Sequence, residues 1–270
     1  MIEKPLNHRT VLITGGARGL GRSMALALAA AGARIAVTGA ADSFQLQQTA
    51  EDLAALAGPG NSLALASDVT DDKAARACID RCIETFGHLD ALVNNAGRGM
   101  RLISETFNTQ PTRFWEADRR AWETIIDVNI NGTFFMAKAA IPHMLERGFG
   151  KIINISTSDL TMVRRGYSPY GPSKAFVEAA SRAWAQELIG TGIDVNVLLP
   201  GGAADTDLLP PSADKKGADG NLLPVTVMDA AMVWLVSQAS DGRTGERYIG
   251  RFWDGPDAAR DRHTDKPGIM

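Results

Sequence analysis

The sequence predicts a doubly wound parallel α/β sheet of about seven strands with helices on both faces. Short apolar runs alternate with helical stretches along the whole chain. The apolar runs are continuous, not alternating, as strands covered on both faces require. No repeat, low-complexity tract or linker divides the 270 residues.

The elements follow in order. Residues 9–14 form the first strand and end in a Gly-rich turn; residues 23–31 (SMALALAAA) form the first helix, stopped by Gly32. Residues 33–38 are the second strand, and 44–57 a helix halted at Gly58-Pro59-Gly60. The third strand spans 62–67. The helix at 71–86 opens on acidic residues, which suit the positive end of the helix dipole. The fourth strand spans 89–93, and 98–118 is polar and aromatic without a period. A long helix over 119–147 is expected to bend at Pro142, where the ring removes a backbone donor. Then come a strand at 151–155, a helix at 168–189, a strand at 193–199, a helix at 225–238 and a strand at 247–250. One domain is expected over 1–254, including a lid rich in Pro, Gly and Asp at 201–224, followed by a polar tail at 255–270.

Composition narrows the function classes. With 45% hydrophobic and 22% charged residues the chain is ordinary globular material, which excludes disorder, collagen and coiled coil. A net charge of −3 supplies no basic field for nucleic acid. No apolar run approaches the ~18 residues of a membrane span, and MIEKPLNHRT carries no apolar leader region. Cys78 and Cys82, at i and i+4, read as core packing on one helix face, outside redox or zinc spacing. The four histidines are scattered and suggest no metal. A cytoplasmic protein acting on a small molecule, without nucleic-acid or membrane partners, is the expectation.

Three clusters carry chemistry. Thr14 to Gly21 (TGGARGLG) lies between the first strand and the first helix, where glycines admit a phosphate to backbone N–H donors and to the helix N-terminus. The slot at the end of strand two, where an acid would meet an adenosine ribose, is Gly39; Arg18 is a nearby cation. That leans to NADP over NAD, with Asp42 the nearest acid. Tyr170 and Lys174 share one helix face at i and i+4, and an ammonium beside a phenol favours the phenolate. Pro172 marks this as the first helical turn, near the hydroxyls of Ser156, Thr157 and Ser158.

TGGARGLG, Asp68-Val69, Asn94-Asn95-Ala96-Gly97, Asn129 in DVNINGTFF, the Ser-rich end of strand five, YGPSK at 170–174, and Pro200-Gly201 followed by Thr206 lie in one order within residues 8–250. In these motifs the chain resembles the short-chain dehydrogenases/reductases, in their shorter single-domain branch. The resemblance implies a Rossmann-like fold and a nicotinamide cofactor. Gly15, Gly19 and Gly21 would then pass the pyrophosphate, with Arg18 and Leu20 beside it. Asp68 and Val69 would meet the adenine, Thr38, Asn95, Ala96 and Gly97 would line the cofactor cleft, and Pro200, Gly201 and Thr206 would meet the carboxamide. Asn94 would brace the central strand.

In the same terms Tyr170 would exchange the proton, Lys174 would bind the ribose and lower the tyrosine's pKa, and Asn129 would hold a water leading from Lys174 to solvent. The family's serine slot is Thr157 here, flanked by Ser156 and Ser158; Thr157 and Ser158 are both candidates, with Ser158 ahead because a one-residue loop shift is cheap. Thr206 falls one position later than in the family pattern, and 98–118 is longer. In that segment Trp115 is expected to pack, while Phe107 and Phe114 are open between packing and the substrate wall.

The implied activity is hydride transfer between nicotinamide and a secondary alcohol, ketone or aldehyde, in a homotetramer or homodimer. The alternative is a catalytically silent dinucleotide-binding sensor on the same fold. In the lid, Leu208, Leu209, Leu222 and Leu223 are placed to face an apolar ligand.

Overall fold

A computed structural model describes residues 4–212, 215–217 and 220–261. Among them, seven strands make one sheet: β1 (Thr10–Ile13), β2 (Arg34–Gly39), β3 (Ser62–Ala66), β4 (Ala91–Asn94), β5 (Gly150–Ile155), β6 (Ile193–Leu199) and β7 (Arg247–Ile249). Their order is β3-β2-β1-β4-β5-β6-β7, and every pairing is parallel. The winding reverses between β1 and β4, so the crevice for a ligand opens beyond the carboxyl ends of these two strands. The fold is Rossmann-like, as the sequence predicts.

Nine helices connect the strands among the described residues: α1 (Gly19–Ala30), α2 (Phe44–Ala57), α3 (Asp72–Phe86), α4 (Arg119–Ile126), α5 (Gly132–Arg147), α6 (Asp159–Met162), α7 (Tyr170–Glu187), α8 (Asp229–Val236) and α9 (Pro256–Ala259). Side chains alternate between two cores. Val11, Ile13, Ile35, Val37, Val93 and Ile153 meet α1, α2 and α8. Leu12, Ala36, Leu92, Ile152 and Val195 meet α3 and α5. Each fully buried aliphatic side chain contributes about 1.5–3 kcal/mol. Cys78 and Cys82 are buried in the second core, and burial pushes their thiols up to about 11 and about 12.

Several elements differ from expectation for identifiable reasons. The first helix starts at Gly19, so part of the Gly-rich turn is its first turn. Asp71 caps α3, accepting from the N–H groups of Lys73 and Ala74, and is not itself helical. The long helix is interrupted by a π-helical step at Asp127–Asn131, while Pro142 sits inside an unbroken α5. The step accompanies the burial of Asn129, whose amide is tied to Arg98 and Ser173. The 98–118 segment holds 3-10 turns at Met100–Leu102 and Phe114–Glu116. Trp115 does not pack into the core: it is 68% exposed, edge-on to an equally open Phe114. Phe107 is buried against Tyr167.

Residues 255–261, assigned to the polar tail from sequence, lie on the protein's own surface. Ala259 enters the first core, Arg260 pairs with Glu246, and Asp261 pairs with Arg247. Residues 262–270, the rest of the expected tail, and His263 with them, lie outside the described residues. The other histidines are less scattered than expected: His88 and His143 gather at Asp90, with the His8 carbonyl on His88. No three acidic, histidine or cysteine side chains converge to hold a metal among the described residues, and no described helix is long and apolar enough to cross a membrane.

Candidate active site

Six of the segments singled out from sequence leave the sheet at its carboxyl edge. Thr14–Gly21 follows β1, Gly39 ends β2, Asp68 follows β3, Asn95–Gly97 follows β4, Ser156–Ser158 follows β5 and Pro200–Thr206 follows β6. Topology alone therefore gathers them around the crevice between β1 and β4.

The Gly-rich turn is held from beneath. Thr14 Oγ1 accepts from the N–H groups of Asn95 and Ala96, and Asn95 Nδ2 donates to the carbonyls of Thr14 and Gly15. Gly15 lies at φ +63, and a Cβ there would stand 2.9 Å from Ala96 Cα. A Cβ on Gly21 would stand 2.4 Å from both Asn95 Nδ2 and the Gly15 carbonyl oxygen. Arg18 occupies the N-cap of α1 in an extended conformation without a side-chain cap, which leaves the first-turn N–H groups facing the crevice. Leu20 packs on the first core.

Other predicted cofactor contacts also have partners within the protein. Thr38 is buried, and its hydroxyl accepts from Gly15 N–H at 3.3 Å, which braces the turn. The Asp68 carboxylate accepts from the N–H and hydroxyl of Thr70, two residues on. Val69 is buried against Gly132. Arg18 pairs with Asp207 at 2.8 Å, between side chains more than half exposed. Asp42 accepts from Gln47. Asn94 donates to Asn154 across β4 and β5 and braces the strand pair as expected.

Beyond β5, Lys174 is buried and its Nζ donates to the Ile155 carbonyl at 2.8 Å. Burial pulls its pKa down to about 8, against the opposing charge of Glu178. Tyr170 is half-buried, and burial pushes its phenol up to about 12, with a hydrogen bond from the Thr157 side chain pulling the other way. Lys174 is not among the groups that shift the phenol in this arrangement; its ammonium is engaged by a main-chain carbonyl. The two candidate hydroxyls have different partners. Thr157 meets the phenol, while Ser158 caps α6 and accepts from Thr161 N–H. Asn129 is fully buried; its Oδ1 accepts from Arg98 N–H, and its Nδ2 donates to the Arg98 carbonyl and to Ser173 Oγ. Gly97 leaves open the space between Asn129 and Lys174, since a Cβ there would lie 3.4 Å from Asn129 Oδ1 and 3.8 Å from Lys174 Nζ.

Pro200 and Gly201 lead into the 201–224 segment, where Gly201, at φ +86, has Ile249 and Arg251 in the space of a Cβ. Thr206 touches Gly19, Leu208 packs on Gly99, and Leu223 packs on Gly202. Leu208 and Leu223 therefore spend part of their apolar surface on the protein itself. In this segment, residues 213–214 and 218–219 lie outside the described residues.

A family model described as short chain dehydrogenase matches residues 9–217. The chain belongs to that family. Its members are oxidoreductases that bind nicotinamide dinucleotides. Short chain dehydrogenase mpl6 of Monascus purpureus is 32% identical over 91% of this chain and 81% of its own. The 3-oxoacyl-(acyl-carrier-protein) reductase FabG of Staphylococcus aureus is 33% identical over 72% of this chain and 74% of its own. The 3-ketoacyl-(acyl-carrier-protein) reductase of Brucella melitensis, solved with NADH, superposes with a TM-score of 0.76 at 26% identity, covering 89% of this chain and 96% of that one. The residues present fit a dinucleotide: Gly15 and Gly21 keep the backbone clear of Cβ atoms where a phosphate must approach the uncapped start of α1.

Sequence reasoning passed over two residues beside this site. Arg247 donates to Glu178 and to the Thr157 carbonyl, and Glu178 lies one turn beyond Lys174. The Lys174-Glu178 spacing was visible in the sequence; the partner on β7, 69 residues away, was not.

Proposed function

We propose that the protein is an NAD(P)-dependent alcohol dehydrogenase or carbonyl reductase acting on a secondary alcohol and its ketone, or on an aldehyde, with Tyr170 as the acid/base. The observation that carries this reading is the placement of Tyr170 in the first turn of α7, one helical turn from a buried Lys174 whose Nζ reaches the Ile155 carbonyl at the carboxyl edge of β5. When bound, nicotinamide supplies or accepts the hydride.

Tyr170 Oη gives its proton to the oxygen of a carbonyl, or takes one from an alcohol. With its pKa high, the phenol is protonated at neutral pH, the form that carbonyl reduction uses. The Thr157 hydroxyl donates to the same substrate oxygen. Lys174 holds a ribose hydroxyl and is the cation that favours the phenolate when the reaction runs toward oxidation. Asn129 borders the gap left by Gly97, where a water passes protons between Lys174 and solvent. Gly15, Gly19 and Gly21 hold the pyrophosphate with Leu20 alongside; Asn95, Ala96, Gly97, Pro200, Gly201 and Thr206 line the rest of the cleft.

NADP is the favoured cofactor. No carboxylate stands at Gly39 to repel a 2′-phosphate, and the exposed Arg18–Asp207 pair costs little to open. The reductase names of the Staphylococcus and Brucella relatives support reduction as a direction of the reaction. A homo-oligomer fits the exposed Phe134 and Phe176 on α5 and α7. A reducing compartment such as the cytoplasm fits two free, buried cysteines.

The test is a turnover screen of ketones, aldehydes and alcohols with both cofactors, for the native protein and Arg18→Ala. Turnover is expected, with NADP(H) preferred and the preference lowered by about 10-fold in Arg18→Ala, the scale of one charge-assisted contact. Tight dinucleotide binding without turnover across the panel would instead mark a silent sensor.

A further inference from the structure

We propose that Arg247 and Glu178 are a positioning pair that sets Thr157 and Lys174 against the Tyr170 phenol. This rests on the functional reading above. Arg247 and Glu178 are both buried, with side chains 4% and 1% exposed. Arg247 Nε donates to Glu178 Oε1 at 3.0 Å and to Oε2 at 3.1 Å. Its Nη2 donates to the Thr157 carbonyl at 3.1 Å, and its Nη1 pairs with Asp261. One guanidinium thus joins β7, α7, the β5–α6 loop and the C-terminal segment.

Geometry makes this more than a staple. Thr157 has its carbonyl held by Arg247, so the guanidinium fixes the main chain that carries the Thr157 hydroxyl beside Tyr170. Glu178 faces the same buried region as Lys174, one turn along α7, and its charge favours the ammonium. The groups around Glu178 are Arg247 from β7, Ser156 from the end of β5, Asp159 from α6 and Lys174 from its own helix. A buried ion pair is weak evidence for stability, because two apolar side chains of similar volume often do as well. Fixed direction is what a planar fork with several acceptors adds. Arg247 also lies beyond the 9–217 span shared with the family model.

The experiment compares Arg247→Met, Arg247→Lys and Glu178→Gln with the native enzyme and with Tyr170→Phe. It reads kcat, KM, cofactor Kd, the pH profile of kcat and thermal midpoint. Arg247→Met is expected to lower kcat by about 10–10²-fold with cofactor Kd nearly unchanged, the scale of a sub-ångström to 1 Å misplacement. Arg247→Lys should recover part of it. Glu178→Gln keeps the shape but removes the charge that favours the Lys174 ammonium. The profile limb set by Lys174 should therefore move to lower pH. Native kcat and an unmoved profile in folded variants overturn the inference. A loss confined to thermal midpoint, or failure of all three variants to fold, assigns the pair to stability and overturns it equally. If the native enzyme shows no turnover, or Tyr170→Phe keeps it, the functional reading fails and the inference falls with it; a normal Tyr170→Phe loss beside unaffected pair variants sinks the inference alone.

Discussion

Thr157 and Ser158 are adjacent hydroxyls with divergent duties. The Thr157 side chain meets the phenol, whereas Ser158 Oγ receives Thr161 N–H at 3.3 Å and pairs with Thr161 Oγ1 at 2.9 Å. Thr157→Ala should lower kcat by about 10²-fold, the loss typical of a donor to a developing oxyanion. Ser158→Ala should cost about 1 kcal/mol of stability as a lost cap, with kcat little changed. Steady-state kinetics and thermal melts of the two variants check this; equal kcat losses would contradict it. The family pattern already pointed to position 157 by its spacing from Tyr170. What spacing could not convey is that an unforeseen short helix, α6, begins right after Ser158 and claims its hydroxyl. Trp115 is a similar case: its aromatic bulk suggests burial, yet no sequence signal places its neighbours.

Elements whose ends are set by adjacent residues were legible. Phe44–Ala57 is legible in full from Gly58-Pro59-Gly60 at its end; the structure adds the Ser43 cap at its start, and Gly58 closes the helix at φ +82. Ile193–Leu199 was read in full from its apolar run. The step at Asp127–Asn131 was not, because it depends on Arg98 and Ser173, 31 and 44 residues away from Asn129.

Contact between α1 and α8 yields a prediction of its own. Asp229, in the first turn of α8, accepts from Ser23 Oγ of α1 at 2.8 Å, and its Oδ1 has no hydrogen-bond partner among the described residues. Burial pushes its carboxyl up from 3.8 to about 6. The folded protein therefore keeps this proton where the unfolded chain releases it. The resulting stabilisation is full below pH 3.8 and is lost as pH rises through 6. Asp229→Asn cannot ionise, so its thermal midpoint should climb relative to the native protein across that window, by the equivalent of at most about 3 kcal/mol. A difference that stays flat with pH would contradict the account.

At the scale of the molecule, one reversal of winding between β1 and β4 brings six loops to one edge, from residues as distant as Thr14 and Thr206. The continuous strands and the order of motifs made this arrangement legible from sequence. The supporting shell was not: Arg247 and Glu178 meet only because β7 lies beside β6 and α7 packs on β6. The central claim is that this edge houses acid/base chemistry at Tyr170. Tyr170→Phe tests it most directly, with turnover measured against a substrate found in the screen and dinucleotide Kd measured on the same preparation. The account predicts a loss of turnover of about 10²–10⁴-fold with Kd nearly unchanged. Turnover that survives the substitution, or that disappears only because the dinucleotide no longer binds, would contradict it.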